Sequence, residues 1–235
     1  MTDDVARAWR FMRRADSAGE TEEAVPLGTA VRDSRVPLRH DSNYLFVERP
    51  ATVEEILAEL RRLDLPVATI PGDELADAPE VSHRGLVMLH QGPAPEPVQR
   101  ATEVGREALE PLRRAQILSA SWGSSAVADQ LLAAKGLIAE DVTARFFGAL
   151  EGAELVAAAD LYLDPPDAQI EDVVTAEASR CRGHGTAVVL TALAEAYTAG
   201  AEFVFLVADA NDWPKDWYAR LGFEPVGGYV KLQRP

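Results

Sequence analysis

The sequence predicts an α/β protein made of a smaller N-terminal α/β domain, residues 1–97, and a larger C-terminal domain, residues 98–235. Three observations carry this. Short apolar runs of strand character alternate with helix-period patterns along the whole chain. The segment GPAPEPV at 92–98 has three prolines and a glycine in seven residues, the composition of a linker. Beyond it the elements follow in a regular order, ααβββαβαβ.

In the first domain, residues 5–14 predict a short helix with Val5, Trp9 and Met12 along one side. Residues 17–23 are polar and read as a loop. YLFV at 44–47 reads as a strand, and Pro50 stops it. Thr52 is placed to cap a helix, with Glu55 three residues on to close the box. Val53, Ile56, Leu57, Leu60 and Leu63 then share one face. Residues 67–70 and 85–89 read as two more strands.

In the second domain, helices are expected over 107–118 and 125–134. RFFGAL at 145–150 is a strand, and Glu151-Gly152 signals a hairpin turn. A longer strand at 155–163 is closed by Asp164-Pro165-Pro166, and a third follows at 169–175. After a glycine-rich loop comes a helix at 186–198, ended by Gly200. FVFLVA at 203–208 is a continuous apolar run, which suits a central strand buried on both faces. A short helix at 214–221 and one or two strands within 225–232 complete the chain.

Composition bounds the function. At 47% hydrophobic and 26% charged residues, 235 residues can build a core without disulfide or metal staples. Cys181 is the single cysteine, so no intrachain disulfide can form, and no cysteine–histidine spacing fits a zinc site. Before residue 98, 11 Lys and Arg stand against 18 Asp and Glu; after it, 12 stand against 20. Neither half is basic, which argues against phosphate-driven nucleic-acid binding. The stretch MTDDVARAWRFMRRADSAGE has no apolar signal core, and no run approaches a membrane span of about 20 apolar residues. A cytoplasmic protein that contacts no membrane is the expectation.

The chemistry concentrates at Arg180-Cys181-Arg182-Gly183-His184-Gly185-Thr186-Ala187, between an apolar strand and a helix. Glycines let backbone N–H groups turn toward an anion, the helix start adds partial positive charge, and two arginines add full charges. This composition suits a pyrophosphate. The dinucleotide fingerprint fails because Val188 stands where its third glycine belongs, and no Gly-Lys-Ser/Thr completes a P-loop.

R-C-R-G-H-G resembles the Q/R-x-x-G-x-G/A acyl-coenzyme A signature of the GNAT acetyltransferases. The strand IEDVVT before it, the helix GTAVVLTALAEAYTAG after it and the strand FVFLVA follow that family's order. NDWPKDWYARLGF then resembles the family's N-x-x-A-x-x-L-Y-x-K-L-G-F signature, with Asn211, Tyr218, Leu221, Gly222 and Phe223 in register. Pro214, Trp217 and Arg220 depart from it. The resemblance covers residues 98–235 and implies a mixed, mostly antiparallel, centrally splayed sheet with helices on both faces.

What the resemblance implies for the site is specific. Arg180, Arg182, Gly183, His184, Gly185 and Thr186 would hold the coenzyme A pyrophosphate. Main-chain groups of Val173 and Val174 would hold the pantetheine arm, and Asn211 would anchor the end of the splayed strand. An acceptor amine would attack the acetyl group of acetyl-coenzyme A directly, with no metal. Glu171, or a water path, would take the proton, and Tyr218 would protonate the departing thiolate. In a regular strand only one of Glu171 and Asp172 faces the cleft, and Asp172 shares a side with Ile170 and Val174, so Glu171 is the expected base. The direct mechanism needs no nucleophile at Cys181. His40, His83 and His90 are expected to be structural or exposed, and Trp213 and Trp217 to pack near the coenzyme or the substrate mouth.

The implied activity is N-acetyl transfer to a primary amine of a small molecule or peptide. The alternative is a catalytically inactive acyl-coenzyme A-binding regulatory module. Residues 1–97 resemble a degenerate copy of the same domain in a tandem arrangement, or else an extension that shapes the acceptor pocket. A tandem chain can imitate a dimer internally, which favours a monomer.

Overall fold

The computed structural model describes residues 2–16, 21–96, 100–138 and 142–235. The chain divides into two compact units. One comprises Met1–Met88, Val207–Trp217 and Pro225–Pro235; the other comprises Leu89–Leu206 and Tyr218–Glu224. Pro97 and Val98, the last two linker residues, where the sequence places a domain boundary, lie outside the described residues.

In chain order the first unit contributes α1 (Asp3–Asp16), β1 (Thr21–Val25), β2 (Gly28–Arg32), β3 (Tyr44–Val47), α2 (Val53–Leu63), β4 (Val67–Pro71) and most of β5 (Val81–His90). β1–β2 and β2–β3 pair antiparallel and β3–β4 pair parallel. Alternation along β3 sends successive residues to opposite faces. Leu45 and Val47 join α2, through Ile56, Leu57 and Leu60, in one apolar core. Phe46 points the other way and meets Trp9 of α1 at 5.3 Å between ring centroids. The helices α1 and α2 thus cover opposite faces of this sheet. The strands β1 and β2 are additional to the elements read from sequence. In TEEAV only Val25 escapes full exposure, so no apolar alternation marks β1.

The second unit contains β6 (Ala101–Glu103), α3 (Arg106–Ser119), α4 (Ser125–Ala134), β7 (Thr143–Glu151), β8 (Glu154–Asp164), β9 (Asp167–Thr175), α5 (His184–Thr198) and the start of β10 (Phe203–Asp209). β6–β7, β7–β8 and β8–β9 pair antiparallel, and β9–β10 pair parallel. The sheet is therefore mixed and mostly antiparallel, as expected. Arg145 and Phe146 are neighbours on β7 with opposite partners. Arg145 reaches Glu195 of α5, while Phe146 lies under Arg113 of α3. Helices cover both faces. After β10, α6 (Pro214–Arg220) and β11 (Phe223–Gln233) end the chain. β11 is one strand, and in the first unit it pairs antiparallel with β4. Three-residue β6 is too short to leave a pattern in the sequence.

Candidate active site

The loop before α5 has the shape its glycines and arginines suggest. Cys181 and Gly183 both have left-handed backbones, with φ of 60° and 84°. At Gly183 a Cβ would meet no atom within 4 Å, so glycine is needed there for its backbone freedom and not for space. Gly183 caps α5, and no side-chain hydrogen bond closes that helix start. The first helical bond runs from Ala187 N–H to the Gly183 carbonyl at 3.0 Å. Arg180 and Arg182 are exposed beside it.

Arg180 donates from Nε to the Thr175 carbonyl at 3.4 Å. Arg182 is held by Glu151, at the end of β7, which also accepts from the Ser179 hydroxyl at 2.8 Å. Nε2 of His184 lies 3.6 Å from the same carboxylate. The Ser179 hydroxyl and then the Arg182 charge hold the Glu151 carboxyl below its ordinary range, so it stays an anion. His184 is buried, and among the described residues its Nδ1 has no hydrogen-bond partner. Sequence reasoning gave His184 only a backbone role and read Glu151 only as part of a hairpin turn. The hairpin places that acidic side chain on the loop across 28 residues from Ser179.

One premise of the sequence reading fails at β9. Ala158 pairs with Val174 and Asp160 with Glu171, so Ala159 alone faces Asp172 and Val173. That is a β-bulge, and Asp172 takes φ 50° within it. Regular alternation therefore does not assign Glu171 and Asp172 to opposite faces. Asp172 forms an ion pair with Lys135, which also approaches Asp160 at 3.3 Å and donates to the Tyr162 hydroxyl at 3.1 Å. Asp160 is fully buried and paired with buried Arg113. Burial disfavours the charge on Arg113, and the charges of Asp172 and Glu171 oppose that effect. Both carboxylates thus act on the side of the sheet that α3 covers. Val174 packs there too, against Leu109 and Ala158, with Val173 half-buried beside it.

The parallel β9–β10 ladder runs from Asp167↔Phe203 to Ile170↔Leu206 and stops there. Glu171, Val173, Val174 and Thr175 continue along β9 without a β10 partner in the ladder. This is the stretch whose main chain the resemblance assigns to the pantetheine arm.

Tyr218 of α6 is buried and packs edge-on against Phe223 at 6.1 Å. Burial, helped by the charge of Asp172, raises its hydroxyl well above the ordinary tyrosine value. The group stays protonated, the state a proton donor needs. Gly222 has φ 90°, and a Cβ there would come within 2.9 Å of Nε2 of His90. The His90 ring hydrogen-bonds the Leu221 main chain, lies 2.7 Å through Nδ1 from the Tyr197 hydroxyl and stacks edge-on against Phe223. Burial lowers its pKa, and a neutral ring that donates from Nε2 and accepts at Nδ1 satisfies both partners. His90 therefore supports the Leu-Gly-Phe turn, a structural role that the sequence left open. Asn211 belongs to the other unit, where its N–H donates to Asp209 Oδ1 at 2.8 Å. Trp213 and Trp217 belong to that unit too, 6.2 Å apart, with Trp213 exposed.

Residues 109–223 match the acetyltransferase (GNAT) family model. Over that stretch the chain is similar to this family. The chemistry of that family is acyl transfer. Solved structures agree in fold over more of the chain. A GCN5-related N-acetyltransferase from Kribbella flavida is 15% identical, with 98% of this chain and 95% of that chain covered at a TM-score of 0.65. A GNAT-family acetyltransferase structure from Novosphingobium aromaticivorans is 19% identical, with 81% and 84% covered at 0.54. A tandem GNAT protein from the clavulanic acid biosynthesis pathway is 14% identical, with 97% and 94% covered at 0.54. No curated protein matches the sequence. Among the described residues no helix is long and apolar enough to cross a membrane, and no group of three or more His, Cys, Asp or Glu could hold a metal ion.

Proposed function

We propose that this chain is a GNAT-type N-acetyltransferase that moves an acetyl group from acetyl-coenzyme A to a primary amine by direct attack. The observation that carries the reading is the start of α5. A helix N-terminus without a side-chain cap, opened by a left-handed glycine and flanked by two exposed arginines, suits the coenzyme's pyrophosphate. Arg180 and Arg182 supply the charges, and the main chain of Gly183, His184, Gly185 and Thr186 supplies the cradle. Val173 and Val174 offer main-chain groups to the pantetheine arm, and Asn211 anchors the end of β10.

When bound, acetyl-coenzyme A supplies the activated acyl group. Glu171 removes a proton from the acceptor ammonium, directly or through water, because an ammonium has no lone pair with which to attack. Asp172 is held in an ion pair with Lys135. Tyr218, kept protonated by burial, donates its proton to the departing sulfur. The acceptor is a small molecule or peptide, and the acidic residues of β9 favour a cationic one.

Thiol release from acetyl-coenzyme A, measured across a panel of primary amines, tests the reading. Tyr218→Phe and Glu171→Gln should each lower kcat about 100-fold or more. If both variants keep the full rate, the role assignment is wrong. Tight coenzyme binding with no thiol release for any amine would favour the regulatory binding module instead.

A further inference from the structure

Tyr218, the group given the proton-donor role, sits on a helix too short to fix it. α6 has seven residues, and isolated helices below about 12–15 residues are marginal in water. The end of that helix is tied instead to the turn that follows. Leu221 N–H donates to the Tyr218 carbonyl at 2.9 Å, and Gly222 N–H donates to the Ala219 carbonyl at 3.1 Å. The Phe223 ring packs edge-on against the Tyr218 ring at 6.1 Å. The turn therefore sets both the backbone that carries Tyr218 and the wall its ring rests on.

His90 holds that turn from the end of β5. One imidazole nitrogen donates to the Leu221 carbonyl, and the other, Nδ1, lies 2.7 Å from the Tyr197 hydroxyl. The ring packs edge-on against Phe223 at 5.2 Å. Next along the chain, Gln91 N–H donates to the Gly222 carbonyl at 2.9 Å. The fit is close, since a Cβ on Gly222 would come within 2.9 Å of Nε2. Tyr197 stands on α5, so its hydroxyl orients the ring from a separate element. His90 is buried with both nitrogens engaged, so the ring cannot turn over without losing both hydrogen bonds.

We propose that His90 is a positioning residue for Tyr218. Oriented by Tyr197, it fixes the Leu-Gly-Phe turn, and through it the place from which the Tyr218 hydroxyl gives its proton to the departing sulfur. The inference rests on the acyl-transfer reading for the role of Tyr218, and on the packing alone for the hold. His90 lies outside residues 109–223, the stretch that matches the family model. A proton donor tolerates little displacement, and an error of about 1 Å can cost about 100-fold in rate. A residue that acts only through the turn can therefore change the rate.

Two measurements on the full chain test this together: steady-state thiol release from acetyl-coenzyme A with a primary amine, and NMR with ring-labelled tyrosine. His90→Phe keeps an aromatic ring and removes both hydrogen bonds. It should lower kcat at least about tenfold and leave the KM for acetyl-coenzyme A within about twofold, the signature of a misplaced donor. His90→Gln, which can still donate to Leu221 and accept from Tyr197, should recover most of the loss. Tyr197→Phe, the milder change if His90→Phe misfolds, should lower kcat about two- to tenfold by removing one hydrogen bond. In a Tyr218→Phe background His90→Phe should cost nothing further, because no donor remains to misplace. Among the five tyrosine ring signals, that of Tyr218, assigned by Tyr218→Phe, should shift in His90→Phe and hold in His90→Gln. An unmoved Tyr218 signal would overturn the proposal. So would an unchanged kcat in His90→Phe, a loss that His90→Gln does not recover, or a loss that adds in full to that of Tyr218→Phe. Failure of the acyl-transfer reading looks different. Wild type then releases no thiol for any amine, or Tyr218→Phe keeps the full rate, while the Tyr218 signal still decides whether His90 holds the ring.

Discussion

Two helices of this chain begin in opposite ways. α2 is sealed. The Thr52 hydroxyl accepts from Glu55 N–H at 3.3 Å, and the Glu55 carboxylate accepts from Thr52 N–H at 2.8 Å. Two donors that a helix start leaves over are satisfied from within, and the helix rests on an apolar core. α5 is left open. Its cap is a glycine with no side chain to offer, and two exposed arginines stand beside it, one of them paired with Glu151. Serine and aspartate are the stronger caps in an extended backbone, but the left-handed backbone at Gly183 disfavours them there. The difference separates a helix start closed by its own side chains from the one proposed to hold an anion.

The comparison breaks or sharpens by substitution. The largest effect is expected from Arg180→Ala/Arg182→Ala. Loss of two hydrogen bonds to a charged ligand should weaken coenzyme A binding at least about 100-fold by calorimetry. The melting temperature should hold, since both side chains are exposed. Unchanged affinity would mean that the open start is not the phosphate site. Gly183→Ala should destabilise the fold by about 1–2 kcal/mol in urea titration, the cost of a left-handed backbone for a residue with a Cβ. No steric cost adds to it, because the space around Gly183 is empty. A neutral result would mean the loop adopts another backbone.

At the sealed start, Thr52→Ala should cost about 1 kcal/mol of stability and leave the coenzyme A isotherm unaltered. Altered coenzyme affinity would sink the division of roles between the two helices. The smallest effect belongs to Glu151→Gln. Glu151 already holds the Arg182 guanidinium, as a ligand phosphate would, so coenzyme A must compete with it. Neutralising it should tighten coenzyme A binding about two- to fivefold, the worth of an exposed ion pair. Weaker binding would show instead that Glu151 positions Arg182 for the ligand.

Much of this architecture could be read in the residues. YLFV, FVFLVA and the Thr52–Glu55 box announce their elements, because burial on one or both faces and local capping leave periodic, short-range marks. The edge strands β1 and β6 leave none. An edge strand is held by main-chain hydrogen bonds on one side and has little apolar surface to bury. The loop at 180–186 was legible for a related reason, since glycines, arginines and the helix that follows lie within a few residues of one another.

The remaining features depend on long-range neighbours. The bulge at Asp172 is a mismatch of register between β8 and β9, and neither strand alone encodes it. It cancels the alternation that would separate Glu171 from Asp172. Glu151 meets the loop only because the β7–β8 hairpin brings it there. His90 gains its function from Tyr197, 107 residues away, and from the Leu-Gly-Phe turn. The sequence by itself determined the helices and the buried strands and singled out the loop proposed to hold an anion, because these follow from local backbone preference, burial pattern and charge. The tertiary structure decided which charges are paired and which hydroxyl stays protonated. Those depend on desolvation and on contacts that form only when distant segments pack.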